Sequence, residues 1–467
     1  MYILFIFRTK DKKLVGYFQF SNPTLVINDL ELAKQMFIKD FDHFVDRREF
    51  KGGHEYLDNM MMMMEGEEWK QMRSIMSPIF TSGKLKNMNK LFNKVGKDFA
   101  EHLDKLAQGK DEVNARDLSS RYTTQVIAST GFGLEISAFA DDPKSEQFFQ
   151  MARKVTGADA SAIDMLKTLL SFLAPSVFSA LKLEPYNKES LNFFGDVIRQ
   201  TINSRKGNCQ KRNDMVDLLM DALQGEDSGD EEVKKQIEQE LEVAAPTKVL
   251  SVPKDKIEVM LIAQLLLLFF AGMDTSSAIL SVLMHCLAKN PDVQQTLFDE
   301  INDALTQSAD GELDYNTVQT LPYMDMVVNE ALRFFSLGDH ERRCVKEYTV
   351  PGTNFTVPKG MMVQVPATGI MKDDKYFPNP EQFNPENFSK ENKEKRHPYA
   401  FMAFGIGPRN CIGSRMALFN LKSGLVHLVS DYKVLTCPKT PEKLIVAPTS
   451  VNTDVEGGIW VKFERRN

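Results

Sequence analysis

The stretch Phe404-Gly405-Ile406-Gly407-Pro408-Arg409-Asn410-Cys411-Ile412-Gly413 decides how the rest of the chain is read. Its glycines permit a tight turn that lets backbone approach a flat ligand closely. Cys411 then stands at the start of a helical segment running through Met416 and Leu418. Amides at a helix N-terminus favour a thiolate and can donate hydrogen bonds to a metal-bound sulfur. Arg409 is spaced to meet an anionic edge of the same ligand. A lone cysteine behind a Gly/Pro turn would read as a buried structural thiol. The ten residues together favour a metal ligand.

Composition sets the frame. A chain of 467 residues can bury a large core and enclose a sizeable cofactor. Its net charge of -7, with no extended Lys/Arg cluster interleaved with aromatics, argues against a nucleic-acid binder. The cysteines are Cys209, Cys286, Cys344, Cys411 and Cys437. Their odd number, wide spacing and lack of a CxxC pair argue against a disulfide scaffold or a zinc site. A reducing, cytosol-facing environment fits best. Met1–Phe7 is apolar, but Arg8, Lys10, Lys12 and Lys13 end the run far short of the ~20 residues a membrane span needs.

Leu14–Phe20 and Thr24–Ile27 read as strands, and helical patterns dominate from about Leu30 onward. Helices are expected over Trp69–Met76, Leu85–Leu106, Ile257–Leu287, Asp292–Ser308, Tyr323–Phe335 and Gly413–Ser430. The run Met260–Phe270 is apolar on almost every side, which marks a central buried helix; Asp274, Thr275, Ser276 and Ser277 count against a transmembrane reading. Glu347–Val365 is strand-like and Leu444–Phe463 reads as a hairpin. Leu166–Leu183 stays open between a buried helical hairpin and a membrane-touching surface. Gly225–Gln239 reads as an acidic insertion. The fold class is mainly α with a small β region.

Three further patterns stand in order before the cysteine stretch: Trp69-Lys70-Gln71-Met72-Arg73, Ala271-Gly272-Met273-Asp274-Thr275-Ser276 and Glu330-Ala331-Leu332-Arg333. With the cysteine stretch they resemble, respectively, the WxxxR, oxygen-binding, ExxR and haem-binding signatures of the cytochrome P-450 superfamily. The resemblance spans roughly residues 14–465. It is strongest to the microsomal 3A-type (clan 3) monooxygenases, on Glu68-Trp69, Ser77–Lys86 and Asp325–Glu330.

The resemblance implies a haem between the long central helix and the cysteine loop. Its iron, in haem b, would take Cys411 as axial metal ligand, a thiolate that pushes electron density to iron. Phe404, Gly405, Arg409 and Gly413 would contact the cofactor, with Trp69, Arg73, Arg342 and Arg47 or Arg48 as propionate partners. Ala271 and Gly272 would leave room for dioxygen. Thr275 and Asp274 would handle protons. Glu330 and Arg333, at i and i+3, would form a buried pair supporting the cysteine loop. Met61, Met62, Met63, Phe270, Leu337, Gly338 and Ser450 would line the substrate pocket. The Met60–Met64 run reads equally as soft core filling or as an adaptable wall.

The implied reaction is insertion of one oxygen atom from O2 into a small lipophilic substrate. Electrons would come from NADPH through the NADPH-cytochrome P-450 reductase, with cytochrome b5 as a further candidate partner. Lys70, Lys84 and Lys86 are candidate docking charges. The implied location is the endoplasmic reticulum membrane, cytosolic face.

Three departures qualify this. Pro385-Glu386-Asn387-Phe388 carries Asn387 where the family has an arginine that joins Glu330 and Arg333. Ser336 replaces a common proline. The expected single domain over 1–467 lacks counterparts of the family's N-terminal anchor and first helix. A reductase-independent haem-thiolate isomerase and a degenerate non-catalytic haem binder are the alternatives. Retention of Asp274 and Thr275 counts against the first.

Overall fold

The computed structural model describes residues 9–19, 22–49, 53–140, 142–156, 187–206, 214–224, 256–447 and 454–466, with isolated positions 163, 166, 167, 170 and 212. Ser450, Met1–Phe7, Gly225–Gln239 and most of Leu166–Leu183 lie outside the described residues.

The helices of ten or more residues among them are α1 Gly66–Met76, α2 Ser82–Gly109, α3 Ala115–Phe132, α4 Pro143–Thr156, α5 Lys188–Lys206, α6 Met215–Gln224, α7 Ile257–Lys289, α8 Pro291–Gln307, α9 Pro322–Phe334 and α10 Ser414–Val429. Local chemistry explains their ends. Asn114 caps α3 by accepting from the Arg116 and Asp117 amides, and Gly133 closes it at a φ of 62°. Pro291 and Pro322 open α8 and α9, where their missing N–H costs nothing. A 3-10 turn at Ser77–Phe80 carries Pro78 and stops α1.

Helix α7 organises the molecule. Its length and apolarity would suffice to cross a membrane. It is instead packed by α3, α5, α6, α9 and α10, and most of its side chains are buried. Two mid-helix positions, Ala271 and Thr275, stay exposed within this enclosure.

The strands are β1 Leu14–Gln19, β2 Asn22–Ile27, β3 Val113–Asn114, β4 His340–Arg343, β5 Tyr348–Thr349, β6 Thr356–Val357, β7 Met362–Val365, β8 Tyr432–Leu435 and β9 Trp460–Arg465. One sheet runs β1-β2-β7-β4, with β2 parallel to β7 and Arg342 opposite Val363. An isolated bridge joins Asp46 to Arg343, so the sheet edge brings Arg47 beside Arg342. The expected hairpin over Leu444–Phe463 is there in part: Val446 bridges Val455 antiparallel, the Ala447 amide donates to the Asp454 carbonyl (2.8 Å) and the Glu456 amide to the Ile445 carbonyl (2.8 Å), while β9 pairs with β8 and β3. Strand β9 alternates between buried and less buried residues, and its buried Phe463 stands opposite the buried Val434 of β8.

Two histidines sit neutral in the helical core. A Cβ at Gly96 would lie 1.9 Å from the His427 ring, so α2 and α10 meet over an imidazole. Burial lowers His285 and His427 to about 4. Both values lie below that of an unfolded chain, which therefore binds protons first as pH falls. Stability is full above pH ~6.5 and declines toward pH ~4, by about 1.4 kcal/mol per pH unit per histidine. The urea midpoint should drop between pH 7 and pH 5, with a shallower slope in His427→Gln. Equal slopes in the two proteins would refute this assignment.

Candidate active site

The cysteine stretch folds back on itself. The Cys411 amide donates to the Phe404 carbonyl (2.7 Å), Asn410 to Gly407 (2.9 Å) and Gly405 to Met402 (2.9 Å). Gly405 and Gly407 adopt φ of 83° and 72°, where side chains are disfavoured. A Cβ at Gly407 would also lie 2.2 Å from the Phe37 carbonyl oxygen. Gly413 is the N-cap of α10, and its amide hydrogen-bonds the Cys411 sulfur. Burial pushes the Cys411 thiol up; the Gly413 amide and the charges of Arg73 and Arg47 pull it back. A bound metal cation would settle this contest in favour of thiolate. Cys411 and Arg47 have accessible surface, yet both are strongly desolvated by surrounding protein. That combination describes atoms lining an internal cleft.

Four guanidinium groups gather at this cleft. Arg73 donates to the Asn410 carbonyl (2.9 Å) and side chain (2.7 Å), which ties α1 to the residue before Cys411. Arg409 donates to the Met64 carbonyl (2.6 Å) and stacks on Trp69 at 4.2 Å. Arg47 reaches the Arg409 carbonyl at 3.4 Å. Arg342 lies over Phe37 at 5.2 Å. Arg48, next to Arg47 in the chain, is instead paired with Glu341 at 3.1 Å.

The cluster is electrostatically frustrated. Burial, with repulsion from Arg47 and Arg409, holds Arg342 well below the ordinary arginine value. Burial and Arg47 lower Arg409 to about 9. Among the described residues, Nε of both Arg342 and Arg409 is buried without a hydrogen-bond partner. A ligand with two carboxylates would relieve the repulsion and satisfy these donors. A thiolate donor beside such a cluster fits haem and its propionates.

Sequence reasoning missed His340, which lies on β4, a strand of polar residues with no apolar alternation. Its Nε2 donates to the Met402 carbonyl (2.8 Å), and burial with two nearby arginines lowers it to about 4. It enters the cleft neutral and adds no further charge.

On α7, the Thr275 hydroxyl donates to the Ala271 carbonyl (2.7 Å), which leaves its lone pairs to accept. Gly272 meets α3: a Cβ there would lie 2.9 Å from Ile127 Cδ1, so its small size lets the two helices approach. Asp274 pairs with Arg116 at 2.5 Å, and Arg116 also binds Asp454 (3.0 Å) and the Ser277 hydroxyl. Burial raises the Asp274 carboxyl, with Arg116 opposing. Arg116 lies 158 positions earlier in the chain, and no local pattern marked it.

Glu330 and Arg333 form a fully buried pair at 2.8 Å. Arg333 also donates to the carbonyls of Met371, Pro380 and Gln382. Glu330 accepts from the Asn384 amide and from Asn387 Nδ2, the latter at 3.2 and 3.3 Å. The network ties α9 to the segment that leads into the cysteine loop.

The pocket residues separate. Met60, Met61 and Met64 are core, whereas Met62 is 39% exposed and Met63 partly buried. Phe270 is partly buried, edge-on to Phe194 at 5.7 Å, and Leu337 is also partly buried. Gly338 is exposed at a φ of 133°. Gln264 on α7, buried and unforeseen, accepts from the Met61 amide (2.9 Å) and donates to the Asn59 carbonyl (2.7 Å), stapling the methionine loop to α7.

The Cytochrome P450 family model matches residues 3–244 and 258–458. The chain is 37% identical to Cytochrome P450 9e2 of Blattella germanica, covering 98% of this chain and 87% of that protein. It is 33% identical to Cytochrome P450 9b2 of Drosophila melanogaster, with the same coverage. It is 34% identical to Probable cytochrome P450 6a13 of Drosophila melanogaster, covering 97% and 86%.

Proposed function

Since the chain belongs to the cytochrome P450 family, and is thus a haem-thiolate monooxygenase, we propose that it oxidises small lipophilic compounds such as xenobiotics, steroids or fatty-acid-like molecules. The carrying observation is the Cys411 loop, with its Gly413 amide on sulfur, beside four converging guanidinium groups. In this reading Cys411 would supply the thiolate to the haem iron, and Arg47, Arg342 and Arg409 would hold the propionates at the cleft between α7 and the cysteine loop. Arg73 and Trp69 hold the loop and Arg409 in place. Bound there, the haem supplies activation of dioxygen and transfer of one oxygen atom.

The chain's own residues hold substrate and protons. Phe270, Ala271 and Leu337 present an apolar wall that excludes water. Thr275 Oγ1 accepts a hydrogen bond from a water and holds it at the α7 face. The Asp274 carboxyl resupplies the proton when Arg116 shifts toward Asp454.

Electrons enter from an NADPH-dependent flavoprotein reductase or cytochrome b5 at the face bearing Lys70, Lys84 and Lys86. Lys70 already pairs with Asp42 at 3.0 Å. We place the protein at the endoplasmic reticulum membrane, cytosolic face, and its sequence character near the microsomal 3A-type branch.

The test is turnover of a lipophilic probe by the holoprotein under 18O2. Reductase-dependent product carrying one 18O atom is expected. Turnover without reductase, or unlabelled product, would overturn the reading. Thr275→Ala should lower product formation roughly 10²-fold while NADPH consumption continues. Equal product per NADPH in the two proteins would remove Thr275 from the proton path.

A further inference from the structure

The cation missing at position 387 has a structural counterpart nine residues downstream. Asn387 contributes only neutral donors to the buried Glu330 carboxylate. Arg396 reaches the same cluster from the C-terminal side. Its Nη1 donates to the Asn387 carbonyl at 2.6 Å. Its guanidinium lies 4.4 Å from the Phe377 ring and 4.8 Å from Phe388, within cation–π range of both. Phe388 in turn packs edge-on against Phe401 at 4.8 Å, three residues before Phe404 begins the cysteine stretch. Arg396 is attracted by Glu330 and repelled by Arg333, so it lies within the field of the buried pair. Lys393 also lies over Phe388, at 5.9 Å, but it is committed to Asp325 at 3.2 Å.

We propose that Arg396, clamped between Phe377 and Phe388 and bonded to the Asn387 backbone, is the relocated third cation of the Glu330–Arg333 cluster and positions the cysteine loop. Removing Arg396 leaves one buried cation, Arg333, to balance Glu330 and frees the 385–401 segment that carries the loop. Adding arginine at 387 while Arg396 remains places two cations beside Arg333. The two positions should therefore compensate rather than add.

The experiment uses holoprotein of wild type, Arg396→Gln, Asn387→Arg and the double variant. Two readouts apply: the thiolate-type fraction of the reduced, carbon monoxide-bound spectrum, and the thermal midpoint. Each single variant should show a lower thiolate fraction and midpoint, while the double variant recovers most of both. If Arg396→Gln fails to fold, recovery of holoprotein in the double variant carries the same meaning. A wild-type-like Arg396→Gln, or a double variant as poor as the sum of the singles, overturns the proposal. It rests on Cys411 being the haem ligand. A wild type without a thiolate band would defeat that reading, whereas a defect confined to the variants addresses Arg396 alone.

Discussion

Cys411→Ser is expected to abolish product formation, by on the order of 10³-fold or more, while leaving the fold intact. The substitution exchanges one atom in a loop whose shape is set elsewhere. Gly405 and Gly407 provide the left-handed turns, and the Cys411 backbone, not its side chain, closes on Phe404. What is lost is the negative sulfur and its electron donation, and a 10³-fold effect corresponds to about 4 kcal/mol of transition-state stabilisation. The check is oxygen-dependent turnover beside the far-ultraviolet circular dichroism of both proteins. Retained turnover would remove Cys411 from the chemistry.

Glu330→Ala is expected to be the most damaging change to stability. Both members of the Glu330–Arg333 pair are fully buried. Glu330 accepts from Arg333, from Asn387 and from the Asn384 amide. Removing the carboxylate leaves Arg333 charged in the interior, which costs about 3–5 kcal/mol. Against a total stability of about 5–15 kcal/mol, that loss should prevent recovery of haem-loaded protein at 37 °C. Expression at low temperature with a denaturant titration measures it directly. A midpoint within error of wild type would contradict the buried-charge argument.

How much of this was legible in the sequence depends on the range of the interactions. Helix α7, α9, α10 and the cysteine loop announce themselves through local signals: an apolar run, Pro322 at a helix start, and glycines where backbone must turn. Strand β4 did not, because His340-Glu341-Arg342-Arg343 has no apolar alternation; its residues face a cleft and a sheet edge. Arg116 and Gln264 were silent for a different reason. Their partners, Asp274 and the Met61 backbone, lie 158 and 203 positions away, and only tertiary packing brings them together. The contact of Gly272 with α3 was equally silent, because Ile127, which a Cβ there would meet, is on another element. Asn387 stands where the family has an arginine, and the structure supplies side-chain donors from Asn387 and a nearby guanidinium from Arg396.

The central claim is that Cys411 binds haem iron as a thiolate. The most direct measurement is the absorption spectrum of the haem-loaded wild-type chain, reduced and exposed to carbon monoxide. The account predicts the long-wavelength Soret band of a thiolate-ligated iron. Only the shorter-wavelength band of an iron without thiolate, or failure to retain haem at all, would contradict it.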